Sequence, residues 1–166
     1  LKECYDIWKL ETEHVAAICW AIANISRFSA SNQGCFADGN TCEFLAESLR
    51  IHSTDPSVVT EASLAIRNLS ANASVLHALA ATDAVTSLLN MTKSFSTKCI
   101  VYVWSAIASL TACADIRDFY LKNDVETLIS NVLNSTDSSL FVYQFAIQCL
   151  SVMIHEGNVE QVQTHF

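Results

Sequence analysis

Four stretches of the chain place apolar side chains three or four residues apart in the same order. Val15, Ile18, Ile22 and Ile25 form the first set, and Val59, Ala62, Ile66 and Leu69 the second. Ile100, Val103, Ile107 and Leu110 form the third, and Leu140, Tyr143, Ile147 and Leu150 the fourth. A helix turns about 100° per residue, so each set falls on one stripe and predicts an amphipathic helix with that stripe in a core. Ala precedes the central Ile each time (Ala21, Ala65, Ala106, Ala146), and so small a side chain lets a neighbouring helix approach closely. The surrounding residues repeat too. Ala65-Ile66-Arg67-Asn68-Leu69-Ser70 has counterparts in Ala21-Ile22-Ala23-Asn24-Ile25-Ser26, Ala106-Ile107-Ala108-Ser109-Leu110-Thr111 and Ala146-Ile147-Gln148-Cys149-Leu150-Ser151.

A self-match at a period near 40 residues marks a helical solenoid, in which each unit buries its faces against its neighbours. Shorter elements fill the intervals. The first motif helix is expected over 12–28 with Thr12 as its N-cap, followed by a short helix over 31–38, closed by Asp38-Gly39-Asn40, and a further helix over 41–52. Asp55-Pro56 is a strong start signal for the second motif helix, the Asp as N-cap and the Pro at the first helical position. The tetrad Ser53-Thr54-Asp55-Pro56 has a partial copy in Ser135-Thr136-Asp137-Ser138 before the fourth. Further helices are expected over 73–82, 84–93, 115–122 and 124–134. Residues 1–10 read as the end of a preceding helix, and Asn158 to Phe166 as the start of a further one. One domain spanning 1–166 is expected, excised from a larger protein and incomplete at both ends.

Composition narrows the chemistry. With 3 Gly and 1 Pro there is little material for hairpins, and 51% hydrophobic residues can fill a large core, so the fold class expected is all-α. A net charge of −8 without any Lys or Arg run argues against nucleic acid and anionic membrane as partners. Only Glu11, Glu13 and Glu61 among the acids lie on or at the motif helices, so the charge reads as a solvated outer surface. No apolar run reaches membrane-span length, and no membrane insertion is expected. Seven cysteines, none in a CxxC pair, read as reduced and mostly buried, which places the chain in the cytoplasm and, as an extension, the nucleus. Five Asn-x-Ser/Thr sequons, two of them mid-helix at Asn24 and Asn68, read as chance occurrences. There is no HExxH, GxSxG or phosphate-cradling loop, and the five histidines are scattered. Cys149 and His155 read as a core thiol and a helix-end imidazole, not a dyad. No catalytic residue, metal or cofactor is expected.

A short helix, a second helix with an aliphatic cluster, and a long helix carrying Ala-aliphatic-x-Asn-aliphatic resemble the armadillo repeat. The likeness covers nearly the whole chain. It implies a right-handed superhelical α-solenoid of about four three-helix units, whose long helices line a concave groove that takes a segment of another protein. Trp20 and Asn24, four residues apart, resemble the paired residues of the importin-α branch; the later units read Leu64/Asn68, Ser105/Ser109 and Phe145/Cys149, which departs from that ladder. The Gly expected between the first and second helices of a unit stands only at Gly39, with Asp83 and Asp124 near the equivalent sites.

Opposite the stripe, five positions per motif helix form the face that the resemblance makes the groove. Its partner-binding candidates are Trp20, Asn24, Arg27, Glu61, Leu64, Asn68, Tyr102, Ser105 and Ser109. Asn offers a donor and an acceptor to a peptide backbone, and Trp an apolar shelf. The structural alternative is that Trp20 fills a seam while Asn24 and Asn68 bond neighbouring backbone. The fourth motif helix is apolar almost all round, and Phe141, Val142, Phe145 and Val152 are expected to form an association patch for a missing repeat, a second copy or a ligand helix. The expected function is a protein–protein interaction scaffold that binds an extended peptide or amphipathic helix, with homo-oligomerisation through the C-terminal repeat. A nuclear-import adaptor fragment that binds basic signals is one alternative; a regulatory or self-association domain of a larger enzyme or cytoskeletal regulator is another.

Overall fold

The computed structural model describes residues 11–37, 39–93, 97–135 and 139–156. The expectations for 1–10, for Asp38, for Thr136 to Ser138 and for Asn158 to Phe166 lie outside them. Among the described residues every regular element is a helix: α1 (Thr12–Ser26), α2 (Ala30–Gly34), α3 (Asn40–Ile51), α4 (Pro56–Leu69), α5 (Ala73–Ala80), α6 (Ala84–Met91), α7 (Thr97–Leu110), α8 (Ala114–Lys122), α9 (Val125–Asn134) and α10 (Leu140–Glu156). None is long and apolar enough to cross a membrane.

Local chemistry sets the helix ends. The Asp55 carboxylate accepts from the backbone N–H groups of Ser57 (2.9 Å) and Val58 (3.0 Å), while Pro56 occupies the first helical position, where no N–H partner is needed. Asn72 caps α5 in the same way through Ser74 and Val75. Helix α1 departs from expectation: Thr12 is already helical, Glu11 takes the cap position, and the helix stops at Ser26. Arg27 at its C-cap is extended (φ −65°, ψ 123°), which ends the helical run, and Phe28 just beyond adopts a left-handed conformation (φ 60°). The turns into α3 and α9 use the left-handed region at Gly39 (φ 83°) and Asp124 (φ 58°). Glycine enters it without a Cβ penalty, and Asp is among the few other residues that tolerate it.

The four motif helices pack in chain order, α1 on α4, α4 on α7 and α7 on α10. The second helix of each interval packs on the motif helix that follows it: α3 on α4, α6 on α7, α9 on α10. Numbering from the central Ile resolves the predicted stripe into two. The first, at −7, −3, 0 and +4, is buried at Val15, Cys19, Ile22 and Ser26 of α1, and again at Val59, Ser63, Ile66 and Ser70 of α4. Helix α7 buries it at Ile100, Trp104, Ile107 and Thr111. The second, at −8, −4, −1 and +3, is buried at Val58, Ala62, Ala65 and Leu69 of α4 and at Cys99, Val103, Ala106 and Leu110 of α7. Helix α1, whose motif-helix neighbour is α4, buries only the first stripe, which therefore faces forward along the stack. The second faces back. Cys99 on it donates its thiol to the Pro56 carbonyl of α4 at 3.7 Å.

The two end helices correct the sequence reading. Ile25 is 52% exposed, and Ile147, expected in the core, is 53% exposed. Helix α10 instead buries Val142, Ala146, Cys149 and Met153, a set turned toward α7 and α9, and leaves its forward stripe open. An interior helix needs both stripes; an end helix has a neighbour for one.

Hydroxyls at +4 sit in this core by bonding their own helix. The Ser26 hydroxyl donates to the Ile22 carbonyl (2.7 Å), Ser70 to Ile66 (2.9 Å) and Thr111 to Ala108 (2.6 Å). The carbonyls of Ser26 and Thr111 then accept from Gln33 on α2 (3.0 Å) and Arg117 on α8 (2.9 Å), both buried, which ties each motif helix to the short helix after it.

Candidate functional site

The face formed by positions −6, −5, −2, +2 and +5 runs across α1, α4, α7 and α10. Its exposure declines along the chain. Trp20 is 58% exposed and Asn24 and Arg27 are exposed as well. Glu61, Leu64, Asn68, Tyr102 and Ser109 are half-buried. Ser105 is buried, and so is Val142; neither can meet a partner, which removes one residue from the groove set and one from the association patch. Val142 packs inward because α10 turns that side toward α7. In the rest of the patch Phe141 is exposed, whereas Phe145 and Val152 are half-buried.

The polar groups of the ladder are largely engaged within the protein. The Asn24 amide donates to the Trp20 carbonyl one turn back on its own helix (2.8 Å). The Asn68 amide donates across helices to the Ala23 carbonyl of α1 (2.8 Å), so this Asn fastens α4 to α1. Ser105 donates to the Tyr102 carbonyl (2.7 Å) and Ser109 to the Ser105 carbonyl (3.0 Å). Of the two readings open for the asparagines, backbone bonding is the one their donors serve. Trp20 fills no seam. Its indole stands out from α1 beside Asn24.

Two features emerge that the repeat pattern does not announce. Arg67 of α4 lies over the Phe145 ring of α10, its guanidinium carbon 5.6 Å from the centroid, and so reaches across α7. Toward the helix N-termini, an open groove of about 620 Å³ crosses α4, α7 and α10, with Thr60, Glu61, Cys99, Tyr102, Ser139 and Phe141 among its walls. Its two aromatic walls face a single carboxylate. Burial pushes the Glu61 carboxyl above the ordinary carboxylate range. The sequence contained this signal: Glu61 and Tyr102 share position −5, and Phe141 stands at −6.

A second groove, about 630 Å³, lies away from the motif helices between α3 and the α5–α6 turn. Arg50 and Glu47 on its wall form an ion pair, with Arg50 Nε 2.6 Å from a Glu47 oxygen.

Two of the buried thiols are inert. Burial pushes Cys19 and Cys149 up to about 12, far from the thiolate form that nucleophiles and metal ligands need. Cys35 is exposed, and none of the six described cysteines is in a disulfide; Cys4 lies outside the described residues. Among the described residues no three His, Cys, Asp or Glu side chains converge as a ligand set.

No protein-family model matches this chain, and no curated protein matches it in sequence.

Proposed function

We propose that the chain is an armadillo-like interaction module, a right-handed superhelical stack of about four units that binds a segment of another protein along its ladder face and catalyses nothing itself. The observation that carries this reading is the groove crossing α4, α7 and α10. It joins neighbouring positions of three successive motif helices, −5 on α4 and α7 and −6 on α10, into a strip walled by Glu61, Tyr102 and Phe141. A strip that crosses several helices suits a chain laid across them better than a compact small molecule. Aromatic walls are the residues that carry affinity at protein interfaces, since they bury large areas at low entropic cost. Trp20 extends the same face at the other end of the stack. The import-adaptor alternative is the weaker reading, because the Trp20/Asn24 pair has no consecutive Trp/Asn successors and one amide N–H each of Asn24 and Asn68 is engaged on a backbone carbonyl.

A selection of displayed random peptides against the purified protein tests the reading. Enriched peptides should lose at least about tenfold in affinity on Tyr102→Ala, as the removal of a hot-spot aromatic does, and bind normally to Thr86→Ala on the exposed side of α6. Peptides that ignore Tyr102, Phe141 and Trp20, or a selection that yields no binder, would overturn it.

A further inference from the structure

The groove across α4, α7 and α10 carries one charge. Among the described residues that line it, Glu61 is acidic and none is Lys, Arg or His. No described residue gives the Glu61 carboxylate a hydrogen bond or an ion pair. It is nonetheless half-buried, and burial raises its carboxyl above the ordinary carboxylate range. A carboxylate drawn out of water with no cation beside it carries a cost that a cationic occupant would remove. In the groove beside α3 the chain answers such a group internally, where Arg50 pairs with Glu47. Here that answer is left to something outside the described residues.

The other walls favour one kind of cation. Tyr102 is half-buried and Phe141 is 61% exposed, and an aromatic ring attracts a cation over its face. A guanidinium is flat enough to stack on a ring, and its fork of N–H donors matches a carboxylate in two parallel hydrogen bonds. The protein makes the stacked half of this arrangement twice itself, with Arg27 over Phe28 (4.8 Å) and Arg67 over Phe145 (5.6 Å). The second contact also shows that side chains of α4 and α10 meet over α7, so one occupant can touch walls from all three helices. Ser57, Thr60 and Ser139 add hydroxyl acceptors for the remaining N–H groups. A volume of about 620 Å³ leaves room for a long side chain together with the backbone that carries it.

We infer that this groove takes a single arginine side chain of the bound protein segment, its guanidinium paired with the Glu61 carboxylate and stacked against the aromatic walls, Tyr102 and Phe141. The inference rests on the reading of the chain as an interaction module and adds the residue that the partner must present. A run of basic residues is not what the groove asks for, since one carboxylate answers one cation. The net charge of −8 works in the same direction at long range, favouring a cationic segment over an acidic one, and salt screens that part.

Three displayed libraries of random peptides, alike except for Arg, Gln or Glu fixed at the central position, test the inference against the purified protein. The Arg library should yield the tightest binders and the Glu library the weakest. The best Arg peptide is then synthesised with Arg or with citrulline, which keeps the shape and removes the charge, and fluorescence anisotropy measures both against the unaltered chain and Glu61→Gln. The loss on citrulline should be at least about tenfold larger with the unaltered chain than with Glu61→Gln, the low end of the coupling between close charge pairs across interfaces. Phe141→Ala should weaken the Arg peptide more than the citrulline peptide. Circular dichroism checks that each variant folds, and Glu61→Ala is the replacement should Glu61→Gln not. Equal citrulline losses with both proteins, or Gln or Glu libraries that bind as well as the Arg library, overturn the inference and leave the interaction module standing. No binder from any of the three libraries overturns both.

Discussion

Ile66, Ile107 and Ile147 occupy the same motif position, yet truncating them should cost very different amounts. Ile66 and Ile107 are fully buried on interior helices, where the forward stripe meets a neighbour. Replacing either by Ala removes three carbons; at about 0.8 kcal/mol per buried methylene the transfer loss alone is about 2.4 kcal/mol. The cavity left between packed helices adds to this, which places the total within about 2–5 kcal/mol. Ile147 is 53% exposed on a face with no described neighbour, so Ile147→Ala forgoes about half the transfer energy and leaves no cavity, about 1 kcal/mol. Urea unfolding at one fixed low protein concentration measures the three costs under one set of conditions. Both probes, circular dichroism and tryptophan fluorescence, should be followed, because stacked repeats can lose two-state behaviour. Equal losses at 66, 107 and 147, or a loss below about 0.5 kcal/mol at Ile107, would refute the assignment of a two-sided interior and a one-sided end.

Other outcomes follow from single contacts. Asn68→Ala should cost about 0.5–1.5 kcal/mol, since it removes a hydrogen bond to the Ala23 carbonyl across a helix pair although the Ser26 hydroxyl still reaches that carbonyl (3.3 Å), whereas Asn24→Ala, whose amide bonds only its own helix, should cost under about 0.5 kcal/mol; urea midpoints compare them. Asp55→Ala should cost about 0.5–2 kcal/mol through the lost cap of α4, read in the same way. The buried thiols give a pH signature. Cys19 and Cys149 keep their protons in the folded state until about 12, whereas the unfolded thiols ionise near 9, so the unfolded state binds fewer protons between these values. Stability is therefore full below about pH 9 and falls as pH rises toward 12, by up to about 1.4 kcal/mol per pH unit for each thiol. Burial also raises the Tyr120 hydroxyl well above its usual value, so it steepens the fall at the alkaline end. Urea titrations at a series of alkaline pH values should show this slope, and substituting both thiols by Ala should flatten it.

Much of the helical architecture was legible because each unit states its own chemistry locally. Asp55-Pro56 writes the start of α4, and α1 runs from Thr12 to Ser26 where 12–28 was expected. What a repeat cannot state is where it stands in the stack. The set −7, −4, 0 and +3 takes two positions from the forward stripe and two from the backward one, and only an interior helix buries all four. Ile25 and Ile147 came out exposed for that reason, and Val142 came out buried because α10 presents its other side to α7. Trp104 was missed because −3 carries Cys19, Ser63 and Gln144 in the other units, which conceals a core position. The ladder was legible as a face, but the spending of its amides and hydroxyls on nearby carbonyls depends on distances that the order of residues does not contain.

Hydrogen exchange resolved to peptides, at a concentration low enough to keep copies apart, tests the ordered stack most directly. Helices covered on two sides open only when the stack breaks, whereas helices covered on one side can fray from the end. Backbone amides of α4 and α7 should exchange slowest, and those of α1 and α10 markedly faster. Protection in α10 equal to that in α7, or protection spread evenly over all four motif helices, would contradict a stack in which, among the described residues, α4 and α7 have a motif helix on both sides and α1 and α10 on one.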